Sequence, residues 1–549
     1  MGAQNHAFVK LLILARVVFA FTSGYVHPDE WFQSNEVTAR DVFGVDTVIP
    51  WEFSSEAPAR SIIGAYASSG AAYLVARMMG TGVNGWVVAF APRLVLCACS
   101  FVVDLAVIEC ARAVHVRVDE ANILFASSWV TLVLLVRPFS NTMETFAVAA
   151  CALIALRNEG LHDVTRCLFV GLVGMIAVFI RVTSAAFIAP WAWFVVARAG
   201  RASLARAATG AMSGIAAATL TACACVAVDT MYFNRTRGGD VDVTLPTRRW
   251  VITPLNWFRY NIDTDNLSQH GLHPRYLHAL VNGPIMFAHL WIICLWRGLR
   301  GKLVVEKSTH RTAFVVRTLW ASVALPLVVL SLAPHQEPRF LTPLIVPLCA
   351  LGALHCKNAS PSRRRRLFSL WIAVNAILAC LFGVLHQGGV VPSMRALSEQ
   401  IDATDQSPRS VHAMFWKTYM PPRSVLAQSR DSQSRVSITD LSGASDDAVR
   451  EILLDSTLPR VCAVDDASCR VADHSTVVLV APPLAVERLR RDVSDALTLT
   501  ERFERFPHLS LDHLDDAIDG IKAADDLPGR IDVLIRALTL TAFVVERVD

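Results

Sequence analysis

Three residues within four positions could do acid–base chemistry. They are His27, Asp29 and Glu30 in the stretch His27-Pro-Asp-Glu30, with Pro28 stiffening the turn. A carboxylate held at such a turn can take a proton from a hydroxyl within hydrogen-bond reach. A plainer alternative is a pair of solvated carboxylates at a helix end. Four further stretches gather cations, imidazoles and carboxylates: Arg137, Asn141 and Glu144 in one; His270, His273 and Arg275 in a second; His335, Glu337 and Arg339 in a third; His386 in His-Gln-Gly-Gly389. Arginine forks and imidazoles of this kind suit an anionic group such as phosphate. For 137–144, an interhelical salt bridge is the alternative.

The elements that must position these clusters are apolar. Of 549 residues, 53% are hydrophobic and 18% charged, and the mean hydropathy is +0.42. A soluble domain carries about 25% charge. The composition excludes a disordered chain, a coiled coil and a secreted disulfide scaffold, and points to a polytopic membrane protein. The net charge of +4 is too small to argue for a nucleic-acid partner. Most of the 13 cysteines lie in apolar stretches, where the thiol packs as a small hydrophobe.

Apolar runs lie near 11–26, 86–110, 121–136, 145–156, 167–197, 208–228, 276–296, 314–333, 340–355 and 367–385. The first reads as a signal anchor. The run 167–197 is long enough for one tilted helix or two short ones, since a span needs roughly 20 residues. The stretch 62–80, rich in Ala, Gly and Ser and containing Arg77, reads as an amphipathic segment lying on the membrane.

Basic residues set the orientation, because Lys and Arg accumulate on the cytoplasmic side. They cluster at Arg198, Arg201 and Arg206, at Arg297, Arg300, Lys302, Lys307 and Arg311, and at Lys357 and Arg363 to Arg366. Counting 167–197 as two crossings gives about eleven transmembrane helices and puts all three groups on the cytosolic side. The opposite, luminal side then holds 25–85, 137–144, 229–275, 334–339 and everything after 386. All five polar clusters fall on that face. An active site at the lipid–lumen boundary fits this better than a transporter, which would place its charges near the bilayer midplane.

The division expected is a membrane domain over 1–390 and a soluble luminal region over 391–549. In the latter, Thr476–Val480 reads as a strand, and Asp446–Leu454 and Ala485–Leu497 as amphipathic helices, together a small α/β domain. Cys462 and Cys469, with six residues between them in this region, are expected to form a disulfide in an oxidising lumen. Asp240-Val-Asp242 and Asp263-Thr-Asp265 match a metal-binding Asp-x-Asp, a pattern short enough to be coincidence, and no Cys/His spacing suggests zinc.

His27-Pro-Asp-Glu30 after a first apolar helix resembles the signature of glycosyltransferase family 22, endoplasmic-reticulum mannosyltransferases that use dolichyl-phosphate-mannose. Trp51-Glu-Phe with Pro58 and Arg60-Ser61, Arg137-Pro-Phe-Ser-Asn-Thr with Glu144, and His335-Gln-Glu-Pro-Arg-Phe340 are similar to further motifs of that family. The resemblance extends over about 12–423. Leu255-Asn256, Tyr260-Asn261, His270-Gly-Leu-His-Pro-Arg-Tyr276, His386-Gln-Gly-Gly389 and Phe415-Trp-Lys-Thr-Tyr-Met-Pro-Pro-Arg423 look like the branch that adds the fourth mannose to glycosylphosphatidylinositol (GPI) precursors. A sibling acting on the third GPI mannose or on the N-glycan precursor, and a non-enzymatic transporter or scramblase, remain alternatives.

The resemblance implies a GT-C type fold, an all-α polytopic bundle with a luminal active site, in the endoplasmic-reticulum membrane. It implies an inverting α1,2 transfer from dolichyl-phosphate-mannose to a GPI precursor glycolipid within the bilayer. Asp29 is the expected base, with Glu30 second. His335, Arg339, His273 and Arg275 are expected at the leaving phosphate, whose negative charge grows in the transition state. His27, Arg137, Asn141, Glu144, His270, Glu337 and His386 complete the expected substrate-binding set. A phosphate already linked to lipid needs no nucleotide-chelating cation, so no metal or other cofactor is expected.

Overall fold

The computed structural model describes residues 2–157, 160–236, 250–268, 271–300, 309–357, 359–402, 410–430, 436–457, 476–524 and 526–548. His270, the Asp240/Asp242 pair, Lys302, Lys307 and the Cys462/Cys469 pair lie outside the described residues. The protein divides into two compact units. One comprises Met1–Ala20, Ile49–Ala72 and Pro92–Ala379; the other comprises Phe21–Val48, Tyr73–Ala91 and Cys380–Asp549. The units therefore follow no single cut near 390: two N-terminal segments belong with the C-terminal region.

Among the described residues seven helices are long and apolar enough to cross a membrane, and eight if the bent pair Val118–Ala126 and Trp129–Val136 is one span. Three more apolar helices are Gly2–Ala20, Ser140–Leu156 and Ser184–Gly200. The last two have 17 residues each, about 25 Å at 1.5 Å per residue, short of a hydrocarbon core of about 30 Å.

In the first unit the apolar run 167–197 resolves into two helices, Asp163–Ile180 and Ser184–Gly200, broken at Arg181. Helix Asp163–Ile180 packs closely on Leu204–Thr236, and glycines permit it. A Cβ on Gly171 would sit 2.1 Å from the Gly214 carbonyl oxygen. Such small-residue seams let helix backbones approach where lipid gives no hydrophobic drive between helices. Polar ties join other helices. Arg16 donates to both oxygens of Asp104 at 2.7 and 3.0 Å. At the 61° break between Ala126 and Trp129, the Ser128 hydroxyl caps Val130 N–H, and Asn375 Oδ1 accepts Trp129 N–H at 2.9 Å. Backbone donors freed by a break in an apolar setting must find such partners.

The second unit is built on a five-stranded sheet of order β2-β1-β3-β5-β4. Its strands are β1 Val411–Trp416, β2 Val436–Leu441, β3 Thr476–Ala481, β4 Leu497–Arg505 and β5 Leu540–Arg547. β1 pairs parallel with β2 and β3, while β5 pairs antiparallel with β3 and β4. Helix Asp446–Ser456 lies where an amphipathic helix is expected, while the second, Pro483–Val493, ends four residues before the expected Leu497, which opens β4 instead.

Side chains alternate across a strand, and here both faces are covered. Met414 and Trp416 of β1 with Val477 and Leu479 of β3 pack with Val449, Leu453, Val486 and Leu489 of the two helices. Ala413, Phe415, Val478 and Val480 share the opposite core with Tyr25, Trp31, Phe32, Ala39 and Val42. The sheet is thus the seat of the His-Pro-Asp-Glu segment. In the same unit Tyr73 and Ala76 are buried while Leu74, Val75, Met78 and Met79 are exposed, an apolar outer face that suits the expected membrane-lying segment.

Candidate active site

In the second unit, Pro28 starts a one-turn helix, Asp29–Phe32. Asp29 N–H donates to His27 Nδ1 at 3.2 Å, which engages the Nδ1 lone pair. The Asp29 carboxylate lies 3.6 Å from that nitrogen and keeps 27% of its side-chain surface, and the Gln33 amide donates to its Oδ2. Glu30 is fully buried and accepts Val26 N–H at 3.3 Å. Of the two adjacent carboxylates one is open to a substrate and one braces the turn.

Around this turn stands an aromatic wall. Tyr25 meets Tyr419 edge-on at 5.5 Å and its hydroxyl donates to the Met420 carbonyl at 3.1 Å. The Tyr419 ring lies 6.4 Å from the His27 ring and 5.2 Å from that of His386. His386 Nε2 and the Tyr419 hydroxyl are 3.1 Å apart. Burial pushes the His386 imidazole down to about 4, so it is a neutral hydrogen-bonding group at pH 7. Gln387 accepts Tyr419 N–H at 3.2 Å and donates to Ser510 Oγ at 3.1 Å. Sequence reasoning missed Tyr419 as a site residue, though it lies in the quoted Phe415–Arg423 stretch.

The first unit holds the remaining clusters. His335 Nε2 lies 2.8 Å from Glu337 Oε1, and Arg339 Nε donates to the other Glu337 oxygen. Burial alone would lower the His335 pKa, but the Glu337 hydrogen bond and charge together hold it above its ordinary 6.5. His273 accepts Gln336 N–H at 3.2 Å, and its ring lies 5.6 Å from that of His335. His335, Glu337, Arg339 and His273 are therefore brought together. Arg275 is exposed and takes no part in this group.

Glu144 is fully buried. It accepts hydrogen bonds from the hydroxyls of Thr183 at 2.8 Å and Ser184 at 3.0 Å, and faces Arg181 Nε at 3.5 Å. Arg181 also donates to Ser140 Oγ at 2.9 Å. Arg137 is buried, with Nη1 3.4 Å from the Val133 carbonyl, and Asn141 is buried in the first turn of Ser140–Leu156. Arg181 escaped the sequence reading, although a charge inside the apolar run 167–197 was its signal. The Trp51–Ser61 motif also closes on itself. Arg60 forks onto Glu52 at 2.5 and 3.0 Å, Trp51 stacks on Tyr260 at 4.2 Å, and Asn256 donates to the Pro58 carbonyl at 3.0 Å.

Chemically, the second unit offers one accessible carboxylate in an aromatic frame, and the first offers arginines and imidazoles poised by carboxylates. Residues 7–428 match the model of the Alg9-like mannosyltransferase family. GPI alpha-1,2-mannosyltransferase 4 of Homo sapiens is 33% identical over 490 residues, 82% of this chain and 81% of that protein. GPI mannosyltransferase 4 of Debaryomyces hansenii is 30% identical over 538 residues, 93% and 96% of the two chains. ArnT from Cupriavidus metallidurans bound to undecaprenyl phosphate superposes with a TM-score of 0.49 at 11% identity, covering 90% of this chain and 95% of that one. With its motifs matched from residue 7 to residue 428 and relatives aligned over most of its length, the chain belongs to the Alg9-like mannosyltransferase family.

Proposed function

We propose that the protein is a GPI-anchor α1,2-mannosyltransferase of the GT-C type. It moves mannose from dolichyl-phosphate-mannose to the third mannose of the GPI precursor, at the luminal face of the endoplasmic-reticulum membrane. Relatives carrying GPI mannosyltransferase 4 names align over 82% and 93% of this chain, which supports this branch over its siblings.

Inversion takes one displacement. The acceptor 2-hydroxyl oxygen bonds to the mannose C1, its proton passes to the Asp29 carboxylate, and the C1–O bond to phosphate breaks with its electron pair on the phosphate. The observation that carries this reading is the contrast at one turn: Asp29 keeps an accessible carboxylate while the neighbouring Glu30 is buried. His335, Glu337, Arg339 and His273 act on the phosphate, with Glu337 aiming the imidazole and the guanidinium. No metal takes part: the growing anion meets fixed cations instead.

The test is the profile of lipid-linked GPI intermediates in cells lacking this chain. The three-mannose species accumulates, and wild-type protein but not Asp29→Asn clears it. Accumulation of a two-mannose GPI species, or of a truncated N-glycan precursor, would reassign the protein to a sibling activity.

A further inference from the structure

Phe340 is the hub of a group of two guanidiniums and two imidazoles in the first unit. The Arg181 guanidinium carbon lies 4.9 Å from its ring centroid and that of Arg339 lies 5.5 Å away. The His335 and His278 rings stand at 5.8 and 6.3 Å from the same ring. Two guanidiniums over one aromatic ring repel each other, so each needs a counter-charge. Arg339 has Glu337 and Arg181 has Glu144.

The two arginines differ in origin. Arg339 sits in a motif that the sequence singles out, and Arg181 breaks an apolar run between two helices. Its side chain is 10% exposed, a costly placement for a cation among apolar helices and one that marks function. Of the five N–H donors of a guanidinium, only the one to Ser140 makes a hydrogen bond among the described residues. Nε faces Glu144 at 3.5 Å, a charge contact longer than a good hydrogen bond. Glu144 is itself held by Thr183 and Ser184, so the pair is fixed in place with donors to spare. Arg60 and Glu337 lie close enough to act on the Arg181 charge as well.

We infer that Arg181 is the second guanidinium, with Arg339, of a site for the phosphate of the lipid-linked donor, an inference that rests on the transferase reading above. The reaction explains the need for two. When the C1–O bond breaks, the electron pair stays on phosphate and a phosphodiester monoanion becomes a phosphomonoester dianion. One fork can hold the first charge. A second fork, held ready before the charge appears, stabilises the product of cleavage more than its precursor, which is what accelerates transfer. A phosphate ester could also come from the inositol phosphate of the acceptor, and the experiment separates these sources.

Full-length protein in nanodiscs is titrated with a polyprenyl monophosphate, with the matching polyprenol, and with phosphatidylinositol. Arg181→Gln and Arg181→Lys are compared with wild type, with melting temperature as the measure of folding. Arg181→Gln is expected to weaken polyprenyl monophosphate binding roughly ten- to a hundred-fold, the worth of a hydrogen bond to a charged group. Polyprenol and phosphatidylinositol binding stay as in wild type. Arg181→Lys keeps the charge facing Glu144 and loses the fork, so it is expected to fold normally and still bind the monophosphate several-fold more weakly. That variant decides the matter if Arg181→Gln fails to fold. Wild-type monophosphate affinity in folded Arg181→Lys and Arg181→Gln overturns the inference. A loss confined to phosphatidylinositol also overturns it, as does a wild type that binds no polyprenyl monophosphate. Mannosyl transfer by wild type is measured on the same preparations. Phosphate binding that depends on Arg181 without GPI mannosylation would sink the transferase reading and leave the anion site standing.

Discussion

Ser424 donates its backbone N–H, at 2.9 Å, and its hydroxyl to the Glu36 carboxylate across 388 residues of chain. Val48 N–H reaches the other Glu36 oxygen at 3.0 Å. The helix Asn35–Phe43, which follows the Asp29 turn, is thus bolted to the turn Arg423–Leu426 of the C-terminal region. The region after 390 is part of the frame that holds the candidate base.

Glu36 gives this frame a pH dependence. Burial raises its pKa to about 7, against the opposing pull of the Ser424 and Val48 hydrogen bonds and the Arg423 charge. An acid with a raised folded value binds more protons folded than unfolded between about pH 4.5 and 7. Stability therefore falls as pH rises through that window and levels off above it. The effect is on the order of 3 kcal/mol, at about 1.4 kcal/mol per unit. Melting temperatures of the purified protein between pH 5 and 8 should decline in wild type and flatten in Glu36→Gln. Parallel curves would show that Glu36 does not titrate in this range.

At the Asp29 turn the two carboxylates should separate cleanly. Asp29→Asn keeps size and the Gln33 contact but cannot take the proton, so transfer should fall at least roughly a hundred-fold with normal membrane insertion and melting temperature. Glu30→Gln should act on stability, lowering the melting temperature, because Glu30 is buried against Val26 N–H. Near-wild-type turnover in Asp29→Asn would remove it as the base.

Arg339→Lys keeps charge but loses the planar fork, and should cost activity; Arg339→Ala and His335→Ala should each cost more. His335 carries its charge below its raised pKa and loses it as pH rises through that value. Affinity for a polyprenyl monophosphate should accordingly weaken with rising pH in wild type, and His335→Ala should lose this dependence. An unchanged pH profile in His335→Ala would take His335 out of the anion site.

Transfer in microsomes should survive EDTA, since the cations assigned to the phosphate are side chains. Loss on chelation, restored by Mg²⁺ or Mn²⁺, would bring a metal into the mechanism.

Much of this was readable along the chain, and what was missed has a common cause. Apolar runs mark helices because their signal is local, so 167–197 could be split once its length was weighed against one span. The amphipathic helices at Asp446–Ser456 and Pro483–Val493 show themselves by period. Strand β1 does not: Ala413 to Trp416 is apolar at every position because both faces of the sheet are covered, and the alternation that flags a half-exposed strand is absent. Partners distant in sequence left no trace either. Glu36 with Ser424 and Glu144 with Arg181 are pairs that only packing creates. The motif clusters name candidate residues, but not that Glu30 and Glu144 are buried, because burial is a property of the fold.

The most direct measurement is transfer by the purified full-length protein. It is given dolichyl-phosphate-mannose labelled in the mannose and a GPI precursor bearing three mannoses. The predicted result is a four-mannose glycolipid whose label is released by an α1,2-specific mannosidase, formed by wild type and not by Asp29→Asn. Label entering only a two-mannose GPI acceptor or the N-glycan precursor, or no transfer by a folded wild-type protein, would contradict the account.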